Sequence, residues 1–102
     1  MTLHILNASP FADPALTQCA RVLADGDALL LVGDGTYAAL EDGAFAHLMQ
    51  GIVGLIEVCA LAEDCQARGI TARLCAGVRM VGYREWVELA VRHEKSISWF
   101  GA

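Results

Sequence analysis

The sequence predicts an α/β fold in which one mostly parallel, five-stranded sheet carries helices on both faces. Three observations carry this prediction. Short apolar runs of strand length alternate with helix-period segments along the whole chain, the pattern of successive strand–helix–strand units. Ala28–Val32 is apolar without interruption, as in a strand buried on both faces. Turn residues such as Asp25-Gly26-Asp27 and Gly33-Asp34-Gly35 separate the segments and punctuate the chain where it must reverse.

The elements follow in order. Leu3 to Leu6 is a short run ending at Asn7-Ala8-Ser9-Pro10, where proline pushes Ser9 out of helical geometry. Asp13-Pro14 opens a helix, with Asp13 as N-cap and Pro14 at the first helical position. Leu16, Cys19, Ala20 and Leu23 then share one face at i, i+3, i+4, i+7. The second strand, Ala28–Val32, runs into Gly33-Asp34-Gly35 and a short helical segment over Thr36–Leu40. Another helical turn is expected over Ala44–Met49, and Gly51 and Gly54 flank Ile52-Val53. The third strand is placed at Leu55–Leu61. Ala62–Arg68 reads as a short helix closed by Gly69. Val78–Val81 is the fourth strand, Arg84–His93 a helix with Trp86, Val87, Ala90 and Val91 on its apolar stripe, and Ile97–Phe100 the fifth strand.

The chain has 102 residues, room for one domain spanning residues 1–102. Its hydrophobic share is 56%, above the ~45–50% usual for soluble domains. A small body with that much apolar surface is expected to bury part of it against partner subunits, copies of itself included. The net charge is −5, from twelve acidic residues against seven Lys plus Arg. Such a surface repels nucleic acid unless its basic residues cluster, which they do not along the sequence, so no direct DNA or RNA binding is expected. No segment has the charged flank and apolar length of a signal peptide or a membrane span. A cytoplasmic protein with reduced thiols is therefore expected.

The cysteines are Cys19, Cys59, Cys65 and Cys75. Their spacing contains no C-x-x-C, which disfavours a structural zinc site or a thioredoxin-like motif. Gly33-Asp34-Gly35 occupies the place of a phosphate loop but lacks the third glycine of G-x-G-x-x-G and the Gly-Lys-Ser/Thr of a P-loop. It reads as a tight strand-to-helix turn. His4 is expected in the core or at an interface with a hydrogen-bond partner, and His47 and His93 on the surface. No metal ligand set and no cofactor is assigned. Glu63-Asp64 and Glu85/Glu88 suit helix N-termini and solvated faces. Ser9, His4 and Asp34 could form a triad on paper, but no nucleophile elbow supports one. Cys59 sits in an apolar strand as a buried thiol. Cys65 and Cys75 have no activating neighbour. Cys19 shares an apolar stripe, which favours packing. A nucleophilic role would require a cation or helix N-terminus to lower its pKa.

Taken together, several segments resemble the DsrH/TusB family of sulfur-relay subunits. They are Leu3-His4-Ile5-Leu6-Asn7-Ala8-Ser9-Pro10-Phe11; Gly26-Asp27-Ala28-Leu29-Leu30-Leu31 followed by Asp34-Gly35 and Tyr37-Ala38-Ala39; Ala60-Leu61-Ala62-Glu63-Asp64 with Ala67-Arg68-Gly69; and Tyr83, Trp86-Val87 and Trp99. The resemblance covers nearly the whole chain in order. It implies a five-stranded DsrEFH-like fold, assembled with homologous DsrE/TusD-like and DsrF/TusC-like subunits into a dimer of heterotrimers. The implied chemistry passes persulfide sulfur to a DsrC/TusE-like carrier, for tRNA wobble-uridine 2-thiolation or dissimilatory sulfur oxidation. The resemblance also makes Cys19 the candidate sulfur-carrying or interface thiol, because DsrH-type members carry a cysteine at the matching place. Two other readings stand beside it. One is a structural subunit whose partner holds the active cysteine, and the other is a small-ligand module using the Asp34-Gly35 turn.

Overall fold

The computed structural model describes residues 1–100. Five strands form one sheet: β1 (Thr2–Leu6), β2 (Ala28–Leu31), β3 (Glu57–Leu61), β4 (Val78–Val81) and β5 (Lys95–Trp99). Their spatial order is β4-β3-β2-β1-β5, and every neighbouring pair is parallel. Each parallel connection therefore needs a crossover. The crossovers are α1 (Ala15–Ala20), a 3-10 segment (Gly33–Ala39) leading to α2 (Ala46–Val53), α3 (Ala62–Ala67) and α4 (Tyr83–Arg92). The first three connections step from strand to adjacent strand. The last carries the chain from the β4 edge to the β5 edge, so α4 must span the sheet.

Side chains alternate across the sheet, and each face has its own cover. Leu6, Leu29, Leu31, Val58 and Ala60 face α1, the 3-10 segment, α2 and Cys65 of α3, forming the larger core. Leu3, Ala28, Leu30, Cys59 and Val81 face the other way and are covered by Leu89 and Trp86 of α4. The predicted arrangement, a parallel five-stranded sheet with helices on both faces, is the one observed. β2 is buried along its whole length, as its uninterrupted apolar run required.

Local signals acted as their chemistry demands. Asp13 Oδ1 accepts the Ala15 N–H at 2.9 Å, but the helix opens one residue later than expected: Pro14, not Asp13, is its N-cap, and the Pro14 carbonyl accepts the first helical bond, from Gln18 N–H. At the end of α3, Gly69 has φ +66°. Its N–H reaches the Gln66 carbonyl, and that of Ile70 reaches Cys65, which is the Schellman arrangement.

Boundaries moved where backbone bonds outweighed side-chain pattern. The helix expected over Ala44–Met49 runs over Ala46–Val53, through Gly51. The third strand begins at Glu57, not Leu55, because the N–H groups of Leu55 and Ile56 both close onto the Ile52 carbonyl at the helix end. Leu55 is left 70% exposed. The fifth strand starts two residues before the predicted Ile97 and ends at Trp99, since Lys95 and Ser96 pair with Thr2 and Leu3 of β1. An edge strand is held by its ladder and can carry polar side chains on both sides.

Candidate functional site

At the carboxyl ends of the strands, where open α/β sheets usually receive ligands, the chain fills the crevice with its own groups. Gly33 adopts φ +53°, and its N–H donates to Asp64 Oδ2 at 2.7 Å. Thr36 returns its hydroxyl proton to the Gly33 carbonyl. Gly35 packs so closely on β1 that a Cβ there would overlap the Leu6 carbonyl. Arg68 clasps Asp34 Oδ1 through Nε (3.1 Å) and Nη2 (2.9 Å), donates to the Asp64 carbonyl, and lies over the Tyr37 ring. The Gly33 N–H is thus already satisfied by an internal carboxylate. The turn reading of Gly33-Asp34-Gly35 agrees with this geometry. Asp64 does more than complement a helix end, because it closes the Gly33 turn, whereas Glu85 suits its helix N-terminus as expected by accepting the Gly82 N–H at the start of α4.

The residues of the paper triad do not meet. Ser9 organises its own turn, taking the Phe11 N–H on its hydroxyl, and Asp34 belongs to Arg68. His4 lies in the core at 2% exposure. Its Nδ1 accepts the indole N–H of Trp99 at 3.2 Å, and its Nε2 lies 3.0 Å from Asp27 Oδ2. An indole nitrogen can only donate, so the Trp99 bond assigns the ring proton to Nε2, which donates to Asp27. Asp27 also accepts the N–H groups of Thr2 (2.9 Å) and Ala24 (3.1 Å). Burial pushes its carboxyl up, but these three hydrogen-bond donors outweigh it and hold the group below the usual carboxylate range. Asp27 was legible only as a turn residue, and nothing local in the sequence marks it as the acceptor of a buried network.

His93 corrects the expectation of a surface histidine. It is 8% exposed, and its Nδ1–H turns back onto the Leu89 carbonyl at 2.6 Å, closing the last turn of α4. His47 is exposed. No group of three or more His, Cys, Asp or Glu has the geometry of a metal site among the described residues.

All four cysteines are buried. Cys19 has no measurable exposure and belongs to the core between α1 and the sheet. Burial, reinforced by the negative charge of Asp27, pushes its thiol up to about 12. Burial likewise raises Cys59, Cys65 and Cys75, each against a nearby acidic residue. Cys59 has the closest cation, Arg79 Nη2 at 3.8 Å, but Glu57 neutralises that guanidinium at 2.8 Å. As folded, the single chain therefore presents no activated thiolate among its described residues.

An open cavity of about 610 Å³ lies at the opposite, amino end of the strands, lined by Asp27, Leu55, Glu57, Arg92 and His93 among others. Its charged wall is internally paired, with Arg92 Nη2 3.6 Å from Glu57. No helix among the described residues is long and apolar enough to cross a membrane.

Comparison with known proteins supplies what the geometry of one chain does not. The family model described as "DsrH like protein" matches residues 8–96. The TusB protein of Enterobacter sp. (strain 638) is 39% identical over 98 residues, covering 95% of this chain and 99% of that protein. TusB of Escherichia coli O81 (strain ED1a) is 36% identical over 100 residues with the same coverage. Among solved structures, the ychN protein from E. coli superposes with a TM-score of 0.81 at 20% identity, covering 95% of this chain and 97% of that one. MTH1491 from Methanobacterium thermoautotrophicum, a protein of unknown function, gives 0.74 at 17% identity, covering 95% and 96%. At such low identity these two structures speak to fold alone. The family match and the TusB relatives span nearly the full length, and the chain belongs to the DsrH/TusB family of sulfur-relay subunits.

Proposed function

We propose that the chain is a scaffold subunit of a sulfur-relay complex in which persulfide sulfur passes between cysteines of its partners. The near-full-length kinship to TusB proteins carries this reading. In such a relay a thiolate attacks the outer sulfur of a persulfide. The sulfur–sulfur bond breaks, the donor leaves as a thiolate, and the acceptor cysteine becomes the new persulfide. The attacking group must be exposed and ionised. Cys19 is neither: with its thiol at about 12, only about one molecule in 10⁵ is ionised at neutral pH. The burial of Cys19 therefore supports the scaffold role over the carrier role, and the active cysteine is assigned to a DsrE/TusD-like partner. A DsrF/TusC-like subunit and a DsrC/TusE-like carrier complete the proposed relay. The TusB name shared by the curated relatives favours tRNA wobble-uridine 2-thiolation over sulfur oxidation as its destination. A dissimilatory sulfite reductase gene beside this one would reverse that choice.

The test is sulfur transfer by the complex reconstituted with its homologous partner subunits and loaded from a labelled persulfide donor. Cys19→Ser should transfer sulfur at the wild-type rate, and intact mass should show no added sulfur on Cys19 while the partner's cysteine gains one. Loss of transfer in Cys19→Ser, or a one-sulfur gain on Cys19, would overturn the scaffold role. Failure of the chain to associate with those partners would overturn the complex itself.

A further inference from the structure

Helix α4 is apolar over about twice the arc that its own sheet covers. At ~100° per residue, Leu89 and Trp86 point to the sheet, and Ala90, Tyr83, Val87 and Val91 carry the apolar surface on around the solvent side. Leu89 is buried, whereas Tyr83, Val87 and Val91 are 54%, 63% and 79% exposed. A helix that covers one core needs a stripe only ~100° wide. Tyr83 is held in place by stacking on Trp86, with ring centroids 6.0 Å apart. Beside this outer stripe, on the flank next to Val91, lie Arg84 and Glu88. Both are exposed, and neither joins an ion pair among the described residues. They are spaced i, i+4 with the cation first, the weaker order for pairing within one helix.

We propose that the outer face of α4 is a self-complementary interface that packs antiparallel against α4 of a second copy of this chain, about a two-fold axis at Val87. In an isologous contact each residue meets its counterpart reciprocally. Val87 packs on its own copy, and Tyr83 packs against the partner's Val91. An antiparallel pair brings like flanks together. Arg84 lies three residues before the axis and Glu88 one after it, so the two-fold sets Arg84 within about 3 Å, along the axis, of the partner's Glu88. The reciprocal pair forms at the same time, and both charges are matched. A parallel pair would bring the charged flank against the uncharged one. An anionic lipid surface would meet one cation and one anion on this flank, with no net attraction. The contact is independent of the sulfur chemistry, so its test can fail while the relay role stands.

The experiment is sedimentation velocity on the full chain. One ten-residue helix, ~15 Å long, offers less than the ~800 Å² per partner of a standard interface, so the series should run from about 1 to 500 µM. Wild type should approach twice the chain mass at the upper end. Val87→Glu should stay monomeric throughout. Arg84→Glu should weaken dimerisation about tenfold by opposing two glutamates, and Arg84→Glu with Glu88→Arg should restore it to within about threefold. All three positions are exposed, and circular dichroism verifies that each variant is folded. A wild type that is monomeric across the series would overturn the proposal, as would a Val87→Glu dimer or a double variant no better than the single one.

Discussion

Replacing Asp27 tests whether the buried network beneath α1 is a principal source of stability. Its carboxylate accepts from Thr2 N–H, His4 Nε2–H and Ala24 N–H while 8% exposed. Asp27→Ala orphans all three donors. A buried donor without a partner costs about 1–3 kcal/mol, and Ala24, an exposed residue, recovers most of this from water, so a loss of about 3–6 kcal/mol is expected. That is a large part of the ~5–15 kcal/mol a domain has in total. Asp27→Asn behaves differently. Its carbonyl can face His4 and Ala24 together, leaving its amide opposed only to the Thr2 N–H, for a loss of about 1–3 kcal/mol. Urea denaturation followed by circular dichroism, at one protein concentration so that self-association is held constant, measures both. The pH dependence supplies a second check. Because the folded carboxyl lies below its ordinary value, its contribution is fully present above about pH 4, the usual unfolded carboxylate value, and is lost as pH falls through the lower folded one. Asp27→Asn should lack that part of the acid limb. Equal losses for Ala and Asn would show that charge, not donor satisfaction, sets the cost. Losses below about 0.5 kcal/mol for both would refute the reasoning, since that is the scale of an ordinary surface change.

Two further outcomes follow from the same geometry. With its thiol near 12, Cys19 of the native chain should react with iodoacetamide at pH 8 about 10³-fold slower than a free cysteine and normally once unfolded; peptide mass mapping reads this, and fast native labelling would contradict the buried placement. Gly35→Ala should cost about 3 kcal/mol or more in thermal or urea unfolding, because the new methyl meets the Leu6 backbone, which cannot rotate aside as a side chain can.

Sequence alone was enough for the architecture, because strand alternation, the apolar run Ala28–Val32, the Asp13-Pro14 helix start and the Gly69 stop are local signals with local physical causes. It reached the family as well, through a set of ordered segments, and the comparisons bear out that family. The edges of elements were less legible. Leu55 looks like a strand residue until the Ile52 carbonyl claims its N–H, and Lys95-Ser96 carries no apolar signal because an edge strand needs none. The buried chemistry was out of reach for a different reason. His4, Asp27 and Trp99 are joined across separations of 23 and 95 residues, and no window along the chain contains them. Cys19 shows the division most clearly. Its helical stripe indicated packing and its family indicated sulfur, and both readings were open from sequence. Only the folded core, with Asp27 brought beside it, gives that thiol no exposure and raises its pKa, because burial and neighbouring charge are properties of the assembled chain.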